Sequence, residues 1–396
     1  MPICVEEKEL CTGCNACSNI CPQKCIEMKV DNSGFRYPKV DYERCTKCKL
    51  CIKTCPSLNK VLFGEKWTIP QIFAAWSLDE DIRFNSTSGG VFSELAKQVI
   101  NDGGLVVAAR YNEKNLVEHC MIKTENEIKT IRQSKYIQSD IGFIYKTIIM
   151  KLLDGKLVGF CGSPCQVAGL LNYLGKPFEN LITFDFVCRG TNSPKAYLKY
   201  IDMLEKQYDS KVENVWFKNK TYGWNRFSTR IDFINGKTYI KDRYTDLFMR
   251  GYIEENLYMR PCCFDCRYKS FPRVSDITLA DFWGVGAIDP ALDSDKGTSL
   301  IMINSEKGNI IFNLISKNIF CKKSTLDEAF PGNGAISKSA TKNPKSDQFL
   351  NMIDSYPFNV CFKKCVKSNI INKIKSKIYK VGSSVKKVLI MNGKNV

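Results

Sequence analysis

The spacing of the cysteines near the start of the chain constrains the fold most strongly. Two copies of one pattern occur, each with three cysteines two residues apart, then a fourth cysteine after three residues, and then a proline. This run is typical of proteins that hold two [4Fe-4S] clusters, in which the fourth cysteine of each copy binds the other cluster. We therefore predict one cluster on Cys11, Cys14, Cys17 and Cys55, and a second cluster on Cys45, Cys48, Cys51 and Cys21.

The residues around the two copies predict a small ferredoxin-like dicluster domain over residues 1–62. Residues 25–31 and 35–41 have the composition of two short strands, joined by a turn at 32–34. Zinc also takes four thiolates, but zinc pairs do not extend to a third and a fourth cysteine followed by proline. Disulfides would close strained loops at such short intervals.

Length and cysteine content limit the remaining possibilities. A chain of 396 residues is too long for one ferredoxin-like unit and predicts two or three domains. Twenty cysteines, without a signal peptide or an apolar stretch near eighteen residues, predict a reducing compartment in which thiols bind metals. The expected location is the cytoplasm.

The net charge of +17 does not indicate a nucleic-acid-binding protein, because much of it lies in one segment. Residues 361–396 carry ten lysines, and no acidic residue follows Asp354. We predict a basic helical tail over residues 331–396. Its segment 366–379 has apolar residues at near-helical spacing, which leaves two alternatives, contact with an anionic membrane or partner surface, or a solvated, partly frayed helix.

The body of the chain has the composition of a mixed α/β core, predicted in two parts over residues 70–155 and 156–330. Strands are expected at 73–77, 104–110 and 157–161, and helices at 91–100 and 141–153. The loop Ser88-Gly89-Gly90 precedes the first of these helices, a position that favours anions. The nucleotide-binding fingerprints are absent, and the one histidine, His119, is expected to be an ordinary strand residue.

Four further cysteines stand at predicted strand ends and turns: Cys165, Cys188, Cys263 and Cys266. Spacing alone leaves two alternatives for them, one additional cluster or four buried free thiols.

Five ordered segments resemble the coenzyme F420 hydrogenase/dehydrogenase beta-subunit family over residues 70 to 315. They are 88–92, 133–140, 162–170, 188–194 and 275–284. The resemblance implies a flavoprotein with FAD and an Fe-S cluster near the flavin, which favours a third [4Fe-4S] cluster on the four cysteines above. It also implies flavin or substrate contacts for Ser88, Gly89, Gly90, Ser134, Lys135, Tyr136 and Gln138, with Lys135 as the charge partner of a phosphate or an anionic ring.

Two residues depart from the family pattern. Arg189 stands where the family usually has a histidine after the cysteine, so an acid role for that histidine is not available. Cys161 stands where a small or aliphatic residue is more usual.

Together, these features predict an iron-sulfur flavoprotein oxidoreductase. Electrons would pass from ferredoxin-type clusters through a core cluster and FAD to an organic two-electron acceptor. The expected partner is an electron donor or acceptor protein, or a partner subunit, and not a nucleic acid. The alternatives are a noncatalytic electron-transfer subunit and a redox protein of a polysaccharide-synthesis locus that acts on a sugar intermediate.

Overall fold

The computed structural model describes residues 8–61 and 64–366. The strands in this part of the chain are β1 (Ile26–Val30), β2 (Arg36–Val40), β3 (Gln71–Ser77), β4 (Leu105–Tyr111), β5 (Val117–Ile122), β6 (Val158–Cys161), β7 (Leu181–Phe186), β8 (Val212–Asn219), β9 (Ser228–Phe233), β10 (Thr238–Asp242), β11 (Ile277–Asp281), β12 (Ser299–Ile303) and β13 (Ile319–Ser324). The α-helices are α1 (Ala16–Ile20), α2 (Leu50–Thr54), α3 (Glu80–Phe84), α4 (Val91–Asn101), α5 (Ile128–Ile131), α6 (Ile144–Leu153), α7 (Pro164–Leu174), α8 (Pro194–Tyr208), α9 (Leu247–Ile253), α10 (Val285–Ile288), α11 (Glu306–Leu314), α12 (Leu326–Ala329), α13 (Ser346–Met352) and α14 (Phe358–Cys365).

The N-terminal segment is a small ferredoxin-like unit of two short helices and one hairpin. Strands β1 and β2 pair antiparallel, with Ile26 opposite Val40. Asp31 closes the turn between them, because its Oδ1 accepts hydrogen bonds from the N–H groups of Ser33 and Phe35. Both strands predicted for this segment are therefore confirmed.

One mixed sheet forms the centre of the body, with the strand order β13-β3-β12-β11-β7-β6-β4-β5. The four strands β4, β6, β7 and β11 run parallel, and the outer pairs are antiparallel. The sheet takes strands from both predicted parts of the core. Because parallel strands end at the same edge, the residues after β6, β7 and β11 come together there.

A second, three-stranded sheet with the order β10-β9-β8 supports an aromatic core. Phe217, Phe248 and Tyr258 are fully buried and stack with ring centroids 5.1–5.2 Å apart. Burial of one such ring contributes about 1.5–3 kcal/mol. Helices α13 and α14 add Phe349 and Phe358 to this core, so residues 346–365 pack on the body. The more basic segment 367–396, with most of the predicted amphipathic helix, lies outside the described residues.

Helix α6 begins three residues later than the sequence predicts. Gly142 has a left-handed backbone (φ 51°), and its N–H donates to Asp140 Oδ1 at 2.9 Å. This turn uses the residues that were expected to start the helix. In residues 8–61 and 64–366, none of the helices combines the length and the apolar character needed to cross a membrane.

The ferredoxin-like unit is docked on the body through α1. Asn19 Nδ2 donates to the carbonyl of Gly142 at 2.8 Å. Arg36 Nη2 lies 3.2 Å from Asp140 Oδ2. A Cβ added to Gly169 on α7 would lie 2.9 Å from Cys14 Sγ. The glycine therefore lets a cysteine of the first motif approach the body.

Candidate metal centres and flavin site

Three thiols of the first motif and the last thiol of the second meet on the inner side of the ferredoxin-like unit. Cys14 and Cys17 are buried, and Cys11 and Cys55 are partly buried. The other three thiols lie within electrostatic reach of Cys17. Burial raises the pKa of the Cys14 thiol to about 12, so a thiolate there needs a positive partner such as iron. We call Cys11, Cys14, Cys17 and Cys55 the inner thiol group.

The remaining four motif cysteines line one cavity near the surface, and we call Cys21, Cys45, Cys48 and Cys51 the outer thiol group. Cys48 is exposed, whereas Cys21 and Cys51 are buried. A fifth thiol, Cys25, lies with its Sγ 3.3 Å from Cys21 Sγ. The chain thus places each fourth cysteine with the opposite motif, as a cluster exchange requires. Iron binding itself stays a prediction.

The backbone is left-handed at the same two positions of both motifs, where the chain turns around the thiols. They are Gly13 (φ 71°) and Asn15 (φ 62°) in the first motif, and Lys47 (φ 58°) and Lys49 (φ 64°) in the second. Glycine and asparagine adopt this conformation readily, but lysine does so at a cost.

A third set of thiols lines a single cavity at the edge of the central sheet, and we call Cys165, Cys188, Cys263 and Cys266 the core thiol group. Cys165 lies in the first turn of α7, which follows β6, and Cys188 follows β7. The N–H of Thr191 donates to Cys263 Sγ at 3.4 Å. Burial raises the pKa of Cys188 to about 12, and Cys263 adds to the rise. The structure therefore brings together the four cysteines predicted to hold a third cluster.

All the candidate ligands in the three groups are thiols, which bind iron-sulfur clusters and also zinc. In the described residues, no three Cys, His, Asp or Glu side chains are arranged to hold one metal ion. In a four-iron cluster each thiolate binds a different iron, so the four sulfurs stand further apart than the ligands of one zinc ion. For the inner and outer groups the motif spacing, with a third and a fourth cysteine followed by proline, favours clusters over zinc.

Two buried tyrosines lie between the inner and core thiol groups. Burial raises the pKa of Tyr268, and Cys165 and Cys14 add to the rise because both thiols lie near its hydroxyl. Tyr145 is placed near the same two thiols. Both tyrosines are therefore within electrostatic reach of the two groups.

Aromatic rings continue from the core thiol group towards the predicted flavin residues. The hydroxyl of Tyr252 donates a hydrogen bond to the carbonyl of Gly190 at 3.1 Å. Burial raises its pKa, and Cys188 adds to the rise. Its ring lies 5.2 Å from that of Tyr136. Tyr136 is thus one ring away from the core thiol group.

The Ser88-Gly89-Gly90 loop is packed inside the body. Ser88 Oγ donates to the carbonyl of Thr298 at 2.8 Å, and the N–H of Gly89 donates to Ser299 Oγ at 2.9 Å. A Cβ on Gly89 would collide with the backbone of β3, so packing alone requires this glycine. Gly90 (φ 89°) precedes the first turn of α4.

Two buried hydroxyls beside this loop have no hydrogen-bond partner within the described part of the chain. They are Ser86 Oγ, just before the loop, and Ser93 Oγ, in the first turn of α4. Buried polar groups are nearly always hydrogen-bonded, so these atoms are candidates for contact with a polar ligand.

Ser134 and Tyr136 lie beside a buried ion pair that the sequence analysis missed. Lys218 Nζ contacts the carboxylate of Asp281, and the two side chains are 6% and 13% exposed. Trp224 Nε1 donates to Asp281 at 2.9 Å. Burial raises the pKa of Tyr136, on which Lys218 and Asp281 act in opposite directions. Polar residues at the ends of β8 and β11 are the signal that would have indicated this pair.

The segment that contains Ser134 is joined to the Ser88 loop. The N–H of Ser134 donates to Thr87 Oγ1 at 2.8 Å. Lys220, also missed, donates to the carbonyl of Ser88, and burial lowers its pKa to about 7. The two predicted flavin segments are therefore neighbours.

Lys135 is hydrogen-bonded within its own segment of the chain. Its Nζ donates to the carbonyls of Arg132 at 2.6 Å and Gln133 at 3.3 Å, at the end of α5. Burial lowers its pKa to about 8, whereas the nearby thiols of Cys120 and Cys161 raise it. Its role as a charge partner for a ligand stays a prediction.

Gln138 lies at the junction with the ferredoxin-like unit. Its Oε1 accepts a hydrogen bond from the N–H of Arg36 at 3.0 Å, and it is 7% exposed. A Cβ on Gly13 would collide with its Nε2, which has no partner among the described residues. The structure thus places Gln138 against the inner thiol group's loop.

Of the two departures from the family pattern, Arg189 has a structural explanation, whereas nothing in the structure explains a cysteine side chain at Cys161. Arg189 Nη2 donates to the carbonyl of Ile253 at 2.7 Å and to Asn256 Oδ1 at 2.9 Å, so it anchors the end of α9. The carbonyl of Cys161 lies 3.2 Å from His119 Nε2. Burial lowers the pKa of His119 to about 4, so the ring is neutral at pH 7.

Comparisons with known proteins agree with this architecture. Two family models describe the N-terminal and the C-terminal regions of the coenzyme F420 hydrogenase/dehydrogenase beta subunit, and they match residues 72–143 and 155–329. A 4Fe-4S dicluster domain matches residues 10–59. No curated protein matches the chain.

Among solved structures, a xenon-derivatised F420-reducing [NiFe] hydrogenase complex from Methanosarcina barkeri contains a similar chain. The similarity covers 70% of this chain and 97% of that chain, with 18% identity and a TM-score of 0.46. The two beta-subunit models together span more than half of the sequence. The chain therefore belongs to the coenzyme F420 hydrogenase/dehydrogenase beta-subunit family and contains a 4Fe-4S dicluster domain at residues 10–59.

Proposed function

We propose that this iron-sulfur protein is a flavoprotein oxidoreductase that passes electrons from a one-electron carrier to an organic two-electron acceptor. The observation that carries the proposal is the succession of outer, inner and core thiol groups from the surface to Tyr136. Clusters on these groups would supply one-electron transfer, and FAD would supply the conversion to two-electron chemistry.

The two short helices link the outer and inner thiol groups. Helix α1 carries Cys17 of the inner group and ends at Cys21 of the outer group. Helix α2 carries Cys51 of the outer group and ends at Cys55 of the inner group. Each helix therefore holds one thiol of each group, which fixes the separation of the two groups.

The outer thiol group is the proposed point of electron entry. Cys48 is exposed, as are the side chains of Arg44, Lys47 and Lys49 around it, and Leu50 is 38% exposed. A basic rim with an apolar contact favours an acidic one-electron carrier protein or an acidic partner subunit. The family is described as a beta subunit, which agrees with the second possibility.

The proposed flavin site lies between the Ser88 loop and the Ser134–Tyr136 segment. The hydroxyls of Ser86 and Ser93, which lack a partner among the described residues, support a polar ligand at the loop. Tyr136 and the Lys218–Asp281 pair would bind the part of the flavin nearest the core thiol group, because these side chains are already buried and fixed. Their role is to position the ring and to exclude water from it.

Anaerobic purification followed by iron, sulfide and flavin analysis tests this proposal. About twelve irons and one flavin per chain are expected. Cys188→Ser should remove about four irons and abolish flavin reduction by a carrier protein, while the signals of the other two clusters remain. Cys120→Ser is the matched control, because Cys120 is buried in β5 outside all three groups. About eight irons in the wild-type protein would contradict a third cluster.

Lys135→Ala tests the predicted flavin contact separately. Weaker flavin binding or slower flavin reduction is expected, with all cluster signals intact. Lys129→Ala is the control, because Lys129 is an exposed lysine on the neighbouring helix α5. Full flavin occupancy and unchanged reduction kinetics would remove Lys135 from the site.

A noncatalytic electron-transfer subunit is the second candidate. It is favoured by the hydrogen bonds that already satisfy Ser88 and Gly89 within the protein. The two candidates differ in one measurement, since a cluster-loaded protein that binds no flavin under strict anaerobiosis would support this second function.

A further inference from the structure

Arg260 joins the inner thiol group to the core thiol group. Its side chain is fully buried, and its Nε donates to the carbonyl of Cys11 at 2.8 Å. Its Nη2 lies 3.6 Å from Cys11 Sγ. Its own carbonyl accepts the N–H of Cys263 at 3.0 Å. One residue thus contacts a predicted ligand of each of the two groups.

The positive charge of Arg260 has no carboxylate partner among the described residues. Besides Cys11, its guanidinium donates to the carbonyl of Arg36 at 3.0 Å, and its Nη1 has no partner in that same part of the chain. The ring of Tyr37 lies 4.2 Å from its Cζ. Guanidinium is always charged, and burying an unpaired ion is unfavourable because it loses its hydration. A metal-bound thiolate group at Cys11 is the anion that would compensate this charge.

The first motif is built to admit this guanidinium, and the second is not. A Cβ on Gly13 would lie 3.1 Å from Arg260 Cζ, so only a residue without a side chain leaves the space free. The corresponding position of the second motif is the exposed Lys47. The outer thiol group therefore has solvated cations, whereas the inner group has a buried one.

We propose that Arg260 raises the reduction potential of the inner cluster above that of the outer cluster and so directs electrons inward. This inference rests on the proposed function. Reduction adds one negative charge to a cluster, and a fixed cation in a low-dielectric interior stabilises that charge more than a solvated cation does. One electron leaves the outer cluster and one enters the inner cluster, without a proton or a chemical bond being transferred.

A redox titration of the cluster-loaded protein, followed by electron paramagnetic resonance, tests the proposal. Arg260→Met keeps the length of the side chain and removes the charge. We expect the equilibrium constant for reduction of the inner cluster to fall at least tenfold, which is about 59 mV for one electron, and the outer cluster to be unaffected.

Two further variants provide controls. Arg267 also binds the ferredoxin-like unit, through the carbonyl of Ser57 at 2.9 Å. Because Arg267 is exposed and solvated, Arg267→Met should leave both potentials unchanged. Arg260→Lys keeps the charge, so the reduction potential of the inner cluster should stay close to its wild-type value. An unchanged inner potential in the Met variant, or an equal fall with Arg267→Met, would overturn the proposal.

A measurement on the wild-type protein remains decisive if Arg260→Met does not keep its iron. Salt screens solvated charges but not buried ones, so the outer potential should shift with sodium chloride while the inner potential does not. An inner potential that follows salt as strongly as the outer one would contradict a buried counter-charge. Failure of the proposed function would differ, because iron or flavin would then be missing from the wild-type protein.

Discussion

The inner and outer thiol groups come from two copies of one cysteine spacing, yet they differ in almost every aspect of their surroundings. Cys14 is buried against α7, whereas its counterpart Cys48 is exposed. The backbone is left-handed at Gly13 and at Lys47 alike. Cysteine spacing and backbone conformation therefore define the shape of each thiol loop. The neighbouring helices and strands determine how deeply the loop is buried and which charges face it.

Replacement of the fourth cysteine of either motif has the largest expected effect, because it tests whether that cysteine binds the cluster of the other motif. Cys55→Ser should remove the inner cluster, with about four irons lost, and stop electron flow from the outer to the core thiol group. Cys21→Ser should remove the outer cluster and leave the inner signal intact. Iron analysis and electron paramagnetic resonance of both variants check this. Loss of the outer cluster in Cys55→Ser and of the inner cluster in Cys21→Ser would disprove the exchange.

Alanine at the two matched left-handed positions should change the stability of the protein by different amounts. Gly13→Ala should destabilise the protein by about 1–3 kcal/mol, because the new Cβ meets Gln138 and Arg260 at an unfavourable φ. Lys47→Ala should change stability by less than about 0.5 kcal/mol, since Lys47 is exposed and already has a Cβ. Denaturation of the cluster-loaded proteins, followed by visible absorbance, measures both. Equal losses would mean that the two loops have the same surroundings.

Charge reversal should affect only the outer face. Lys47→Glu combined with Lys49→Glu should slow reduction by an acidic carrier protein about tenfold at low salt, because electrostatic steering is lost. The difference should vanish near about 1 M salt. Lys317→Glu, at an exposed site outside the ferredoxin-like unit, is the control for general charge effects. Stopped-flow kinetics give the rates, and slowing by the control as well would exclude a specific docking face.

Relief of backbone strain has the smallest expected effect. Lys47→Gly should stabilise the ferredoxin-like unit by about 1 kcal/mol, since glycine has no penalty at φ 58°. The same denaturation assay applies. A loss of stability would show that the Lys47 side chain makes a contact worth more than the strain.

Much of the local structure was predictable, since it depends on short-range patterns. The hairpin strands β1 and β2 and the central strands β3, β4 and β6 lie where the sequence indicated. Helix α6 begins later than expected because the turn at Gly142 consumes its first residues.

The candidate site was less predictable. The resemblance pointed to the core cysteines, but nothing in the spacing of Arg260 indicated that it becomes a buried charge, and Lys218 and Asp281 were marked only by their places at strand ends. Gln138 was assigned to the flavin region, and the fold places it against the ferredoxin-like unit. Contacts between residues that are far apart in the chain decide such placements.

The two thiol motifs, the small hairpin between them and the family can all be read from the amino-acid sequence. These follow from residue types at fixed short distances, where covalent geometry leaves few alternatives. Three features depend on the packing of distant segments: which motif faces the body, the cavity shared by the core cysteines, and the position of Arg260 beside Cys11. Burial and dielectric environment depend on which distant segments pack together, and the electrostatics of each thiol group depend on that packing.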